Sequence, residues 1–199
     1  MSARGRNYRT DPMLRPVPKR PNSDDDWTTT PDLCEAVTRF VLPELGSGKV
    51  LEPAPGAGAL ADAMRAAGRE VVTTDTDFMV TAVPAGVDFL VTNWPFNKLP
   101  ILMERSLMLL NAGNLQGATL LFRSDHIHAE SRDPPHIRLA SLNRASAFHF
   151  CAWRPRWIVP SEGNGRHGAV WVTWLRPGVS GPRGIFWLRR RNGRVEMAT

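Results

Sequence analysis

The chain has 199 residues, 42% hydrophobic and 22% charged, with a formal net charge of +6. That length suits one domain with one sizeable core. No apolar run approaches the roughly 20 residues needed to span a bilayer, and no apolar stretch follows the opening MSARGRNYRT as a secretory signal would require, so a cytoplasmic location is expected.

Cys34 and Cys151 fit a reducing compartment, cannot build a disulfide framework, and read as small buried hydrophobes. The positive charge sits at the two ends. Residues 1–20 carry six Lys/Arg against one Asp, and residues 176–199 six Lys/Arg against one Glu, so the stretch between them is net negative. Basic ends attract polyanions, nucleic acid above all, or merely keep a chain soluble; charge alone leaves both open.

Residues 1–26, rich in Pro and basic residues, read as a disordered arm. The folded domain is expected over 27–176, and 177–199 as a basic C-terminal tail. Thr30-Pro31-Asp32 predicts a helix start: Thr30 suits the cap, Pro31 the first helical position, and Asp32 the positive helix end. Leu33, Val37, Phe40 and Val41 then share one face. A strand at 49–52 runs into Glu52-Pro53-Ala-Pro-Gly56-Ala-Gly58, and a helix from Ala59 carries Leu60, Met64 and Ala67. A strand over 71–74 ends at Asp75, which closes a strand–turn–helix–strand unit. A buried strand at 89–92 follows, then Asn93-Trp94-Pro95-Phe96, a helix over 99–110, a strand at 118–122 and a short helix over 135–144. The β-rich runs 147–153 and 169–175, joined by a Gly-rich loop at 161–168, are expected to pair as an antiparallel hairpin. Strands alternating with helices predict an α/β sandwich with a mostly parallel sheet.

Open α/β sheets bind ligands at strand ends. Gly56 and Gly58 allow a tight turn and close backbone approach. Glu52 is a polar choice at the end of an apolar strand. Asp75, 19 residues beyond Gly56, is placed for ribose hydroxyls, near the 20-residue spacing of dinucleotide folds. Spacing alone leaves nicotinamide or flavin open, with Ala61 at the third glycine position, but no cluster for hydride chemistry stands out.

Leu51–Leu60, Asp75 and Val91-Thr-Asn-Trp-Pro-Phe96 together resemble a class I S-adenosylmethionine-dependent methyltransferase. The likeness is strongest to small phage-type adenine-N6 DNA methyltransferases, whose hallmark is Asn/Asp-Pro-Pro-Tyr/Phe after the fourth strand. Thr30-Pro31 resembles their N-terminal cofactor motif, and Arg154-Pro-Arg156-Trp157 with Ala169–Trp174 their C-terminal part. The resemblance spans roughly 27–175. It implies a Rossmann-like three-layer sandwich and S-adenosylmethionine as cofactor, held by Thr30, Pro31, Glu52, Pro53, Gly56, Gly58, Asp75 and Asp77.

The acceptor would be an exocyclic amine, most simply adenine N6 in DNA. Asn93, Trp94, Pro95 and Phe96 would hold it: the Asn93 oxygen and the Trp94 carbonyl accept the amine N–H groups, and Phe96 stacks on the base. The lone pair is thereby aimed at the methyl, which is orientation with electrostatic preorganisation. A duplex base must be flipped out first. Trp94 stands where the family has Pro, so its indole would narrow the pocket or add a stacking surface. RNA amines and protein glutamine amides are alternative acceptors for the same motif, and a degenerate nucleic-acid-binding module is a third reading.

Arg123, Arg154 and Arg156 are candidate nucleic-acid contacts. Alternation on a strand sends Trp153 and Trp157 to one face, with Trp in the core, and Arg154 and Arg156 to the other. His126 and His128 at i, i+2 lack further metal ligands at suitable spacing, so no metal is expected.

Overall fold

The structure is a computed structural model that describes residues 28–74, 77–128, 142, 144–155 and 167–198. The arm over 1–26, Asp75, most of the helix expected at 135–144, Arg156, Trp157 and most of the Gly-rich loop lie outside the described residues.

Among the described residues eight strands form one sheet: β1 (Lys49–Glu52), β2 (Val71–Thr73), β3 (Val87–Thr92), β4 (Gly117–Arg123), β5 (Ala147–Cys151), β6 (Ala169–Leu175), β7 (Gly184–Arg191) and β8 (Arg194–Met197). Their order is β2-β1-β3-β4-β6-β5-β7-β8. The run from β2 through β4 is parallel, β6 lies antiparallel between β4 and β5, β7 pairs parallel with β5, and β8 folds back on β7. Only β6 and β8 therefore run against the rest.

Helices α1 (Pro31–Phe40) and α2 (Ala59–Ala66) cover one face, and α3 (Leu99–Asn111) the other; a five-residue α4 (Ser124–His128) follows β4. Leu33, Val37, Leu60 and Met64 are buried against Val50, Val91, Leu121 and Trp171 on the first face. Leu102, Met103 and Leu110 pack on Leu90, Leu120, Phe122 and Trp174 on the second. Each fully buried aliphatic side chain contributes about 1.5–3 kcal/mol. The α/β sandwich with a mostly parallel sheet expected from alternating strands and helices is observed, in the three-layer form that the resemblance implies.

The structure departs from the sequence reading in several places. Residues 184–197, expected within a basic tail, extend the sheet instead: β7 pairs with β5 and β8 with β7, and Leu188 and Val195 are core residues. Thr30 sits at the α1 cap position, but its hydroxyl donates to the Asp32 carboxylate rather than capping the backbone. Ala67 ends α2 exposed instead of facing the core. Between β2 and β3 the described residues form turns and no strand, so Asn93 follows the third strand of this chain, as the strands expected at 49–52, 71–74 and 89–92 place it, whereas the family's motif follows a fourth.

Candidate functional site at the carboxyl ends of β1 and β3

From β1 the chain crosses to β2 on one side, and β3 is laid down on the other. Two parallel strands whose continuations diverge leave a crevice beyond their carboxyl ends. Register aligns Leu51 with Leu90, which brings Glu52 beside the end of β3. There Thr92 Oγ1 donates to Glu52 Oε1, and the same oxygen accepts the Ala54 N–H at 3.0 Å.

Glu52 is 1% exposed. Burial disfavours its charged form and pushes the carboxyl up to about 8, although the Thr92 and Ala54 bonds pull the other way. No ion pair joins it to a described residue. A sealed carboxyl of this kind, beside a glycine turn, suits a cationic ligand.

The turn itself requires its glycines. Gly56 has φ +51° and Gly58 φ +86°, both left-handed, and Gly58 precedes the first turn of α2, where its carbonyl accepts the Asp62 N–H at 2.9 Å. The amino end of α2, with its unpaired N–H groups, thus opens beside the turn. Pro53 is buried under it and Gly56 lies exposed at its tip.

Asn93 follows directly on β3 and is 9% exposed. Its Nδ2 donates to Thr29 Oγ1 at 3.1 Å. Thr29, a buried residue one position before the expected motif, therefore ties the start of α1 to the end of β3. Cys34 Sγ lies 3.7 Å from the Ala59 carbonyl, so the same helix end also sits against the start of α2. Thr29 escapes sequence reading because its partner is 64 residues away and no short-range pattern links them. Thr30 and Pro31 flank this junction, and Pro31 is exposed.

Trp94 neither narrows an open pocket nor offers a free stacking face. Its indole is buried and packs on Phe78, ring centroids 5.2 Å apart, within the cluster under α3. Its Nε1 is buried with no hydrogen-bond partner among the described residues. Phe96 is buried too: Arg123 lies over its ring, the guanidinium carbon 5.7 Å from the centroid, and His126 of α4 meets it edge-on at 5.5 Å. A base stacking on Phe96 has to displace or share that guanidinium.

Pro95, half-buried, precedes the short 3₁₀ turn Phe96–Lys98 that leads into α3. Asp77 is exposed, and its carboxylate accepts the Met79 N–H at 2.9 Å, which holds a local turn. The glycine turn, Glu52, Thr92, Asn93 and the α1 start thus converge. Arg154 stands apart, exposed beyond the end of β5, where Ser124, Trp153, His167 and Gly168 line an open depression with it. Trp153, two residues past the end of β5 and partly buried, packs against the core cluster.

No protein-family model and no curated protein matches the chain. Solved structures do. The 23S rRNA methyltransferase ErmE superposes with TM-score 0.50 and 14% identity over 76% of this chain and 70% of its own. The type IIG restriction endonuclease BpuSI gives 0.53 and 13% over 81% of this chain and 26% of its own. The M protein of the type I restriction enzyme EcoKI gives 0.51 and 11% over 84% and 49%. The chain thus spans about a quarter and half of the two restriction-enzyme chains. At these identities the likeness is one of fold: the chain shares its fold with the ErmE methyltransferase and with part of each restriction-enzyme chain.

Proposed function

We propose that this chain, built on that fold, transfers a methyl group from S-adenosylmethionine to an exocyclic amine, adenine N6 in DNA. The observation that carries the reading is the joined pair of strand ends, Glu52 bonded through Thr92 next to Asn93, beside a glycine turn with left-handed Gly56 and Gly58. The cofactor, when bound, supplies an activated methyl on a sulfonium.

The residues present fit that group. Gly56 and Gly58 present no side chain, the α2 amino end offers N–H donors, and Glu52 is a buried carboxyl whose ionised form a cationic ligand would stabilise. Pro53 and the Thr30-Pro31 segment frame the crevice, and Asp75 would take ribose hydroxyls. Asp77, engaged in its own turn, is the weaker of the two acidic candidates for contacting the cofactor.

On the acceptor side, the bond from Asn93 Nδ2 to Thr29 orients the amide so that Oδ1 is the end accepting an amine proton. The Trp94 carbonyl accepts the second. Trp94 acts here through its backbone while its indole anchors the loop on Phe78. Phe96 offers the ring and Arg123 the cation, which moves from the ring to a phosphate as the base enters.

The basic ends favour nucleic acid over protein as the acceptor. Incubation with methyl-labelled S-adenosylmethionine and, separately, DNA, RNA and cell extract tests the proposal. Label on adenine of DNA supports it. Label on RNA or protein moves the same chemistry to the alternative acceptor, and cofactor binding without any transfer contradicts it.

A further inference from the structure

The two faces of the terminal hairpin are treated differently. On the α1 side, Leu188 and Val195 are buried, Phe186 stacks on His149 at 4.6 Å, and Arg190 pairs with Asp32 at 3.4 Å. On the other side, Ile185 is 66% and Trp187 53% exposed. Alternation puts Arg189 and Arg191 in line with them. Register sets Ile185 beside Phe148 and Trp187 beside Phe150. The Trp187 and Phe150 rings stack 4.9 Å apart at 23°, and Phe150 and Phe148 6.1 Å apart at 15°. A row of nearly parallel rings is thus bordered by guanidinium groups.

The sheet's polarity relates this row to the candidate site. β3, β4, β5 and β7 run in one direction, so Arg191 and the turn Asn192–Gly193 stand at the same sheet edge as Asn93 and Arg123. Arg154 and its depression lie between them. Four strand steps separate β3 from β7, roughly 19 Å at ordinary strand spacing.

We propose that this aromatic and basic face of β5, β7 and β8 docks a single-stranded stretch of nucleic acid flanking the acceptor base. Bases stack on Trp187 and Phe150, and Arg191 and Arg194 take phosphates. Charge selects the occupant. Arg189 shares this face with its partner Glu196 at 2.8 Å, which leaves Arg191 and Arg194 in excess. A second copy laid on the face would bring like charges together, whereas a polyanion meets complementary ones. The proposal rests on the acceptor being nucleic acid and adds where the flanking strand is held.

The test is fluorescence anisotropy of labelled mixed-sequence 12-mers of single-stranded DNA and of RNA. The proteins are the full chain, Trp187→Ala, Trp187→Phe and the double variant Arg191→Ala/Arg194→Ala. Trp187→Ala should weaken binding of the preferred oligomer about tenfold, and Trp187→Phe should largely restore it. The double variant should lower the salt slope by about 1.4.

Equal affinity of wild type and Trp187→Ala overturns the proposal, as does absence of binding to both oligomers. So does a dimer that Trp187→Ala dissociates in sedimentation. Calorimetry with S-adenosylmethionine is run in parallel. No heat with wild-type protein sinks the methyltransferase reading but leaves the oligomer result standing.

Discussion

Glu52 closes an apolar strand with a carboxyl that water does not reach, and its titration governs two predictions. Between pH 4.5 and about 8 the folded chain holds a proton that the unfolded chain has released. Stability from this group is complete below 4.5 and is lost as pH climbs through 8. Glu52→Gln should remove that loss. Melting curves at pH 6 and 8.5 should show wild type losing stability, on the order of a few kcal/mol, relative to the variant. A cationic donor selects the ionised carboxyl, so donor affinity should rise from pH 6 to 8 by up to about tenfold per unit in wild type. It should be weak and flat in Glu52→Gln. An affinity that falls over that range would contradict the assignment.

Asn93 belongs to the other half of the crevice. Asn93→Ala should cut methyl transfer by about a hundredfold or more while leaving donor affinity within about threefold. Loss of donor binding instead would show that the division of roles is wrong. Trp94 shows the limit of reading a residue by its place in a motif. Its position follows from the spacing, but its burial against Phe78 depends on a residue 16 positions earlier in an unpatterned stretch.

At the scale of elements, what was legible follows from how each one buries itself. The α1, α2 and α3 helices carry clear apolar faces with Pro or Gly at their ends, and all three form where that pattern predicts. β4 and β6 are buried along almost their whole length and read as continuous apolar runs. The β7 strand is hidden from such reading because only Leu188 along it is buried and three arginines follow. The α4 helix, at five residues, is too short to leave a periodic signature.

The antiparallel pairing of β5 with β6 was legible. What β5 buries was not. His149 is fully buried on it, stacked on Phe186, with both ring nitrogens lacking partners among the described residues. Burial lowers its pKa to about 4. The unfolded chain therefore takes up the proton first, near 6.5, and stability from this group is whole above that value and lost as pH falls through 4. His149→Phe should blunt the loss between pH 6.5 and 4, by up to about 3 kcal/mol. Chemical denaturation at the two pH values measures it; equal pH dependence in variant and wild type would contradict a buried neutral ring.

At the scale of the whole molecule, the sheet and not the chain order decides where the domain ends. Parallel pairing of β7 with β5 and the burial of Leu188 and Val195 make 184–197 part of the core. A chain cut after Arg176 should lose cooperative thermal unfolding, whereas removal of a mere tail would leave the melt unchanged. The same topology gathers the carboxyl ends of six strands along one edge, so the glycine turn, Asn93 and the basic hairpin share a side. Of this, the strand–turn–helix–strand unit was readable from pattern and spacing, and the asparagine segment through its resemblance to a family motif. Their joining through Glu52, Thr92 and Thr29 was not, because it is made by contacts 40 and 64 residues apart in sequence.

The central claim is that the crevice between β1 and β3 holds a methyl donor against a planar amine. Calorimetric titration of S-adenosylmethionine into the wild-type chain at pH 8 tests it most directly. The account predicts saturable binding at one site per chain, strongly weakened by Glu52→Gln and preserved in Asn93→Ala; absence of binding heat in the folded wild-type protein would contradict it.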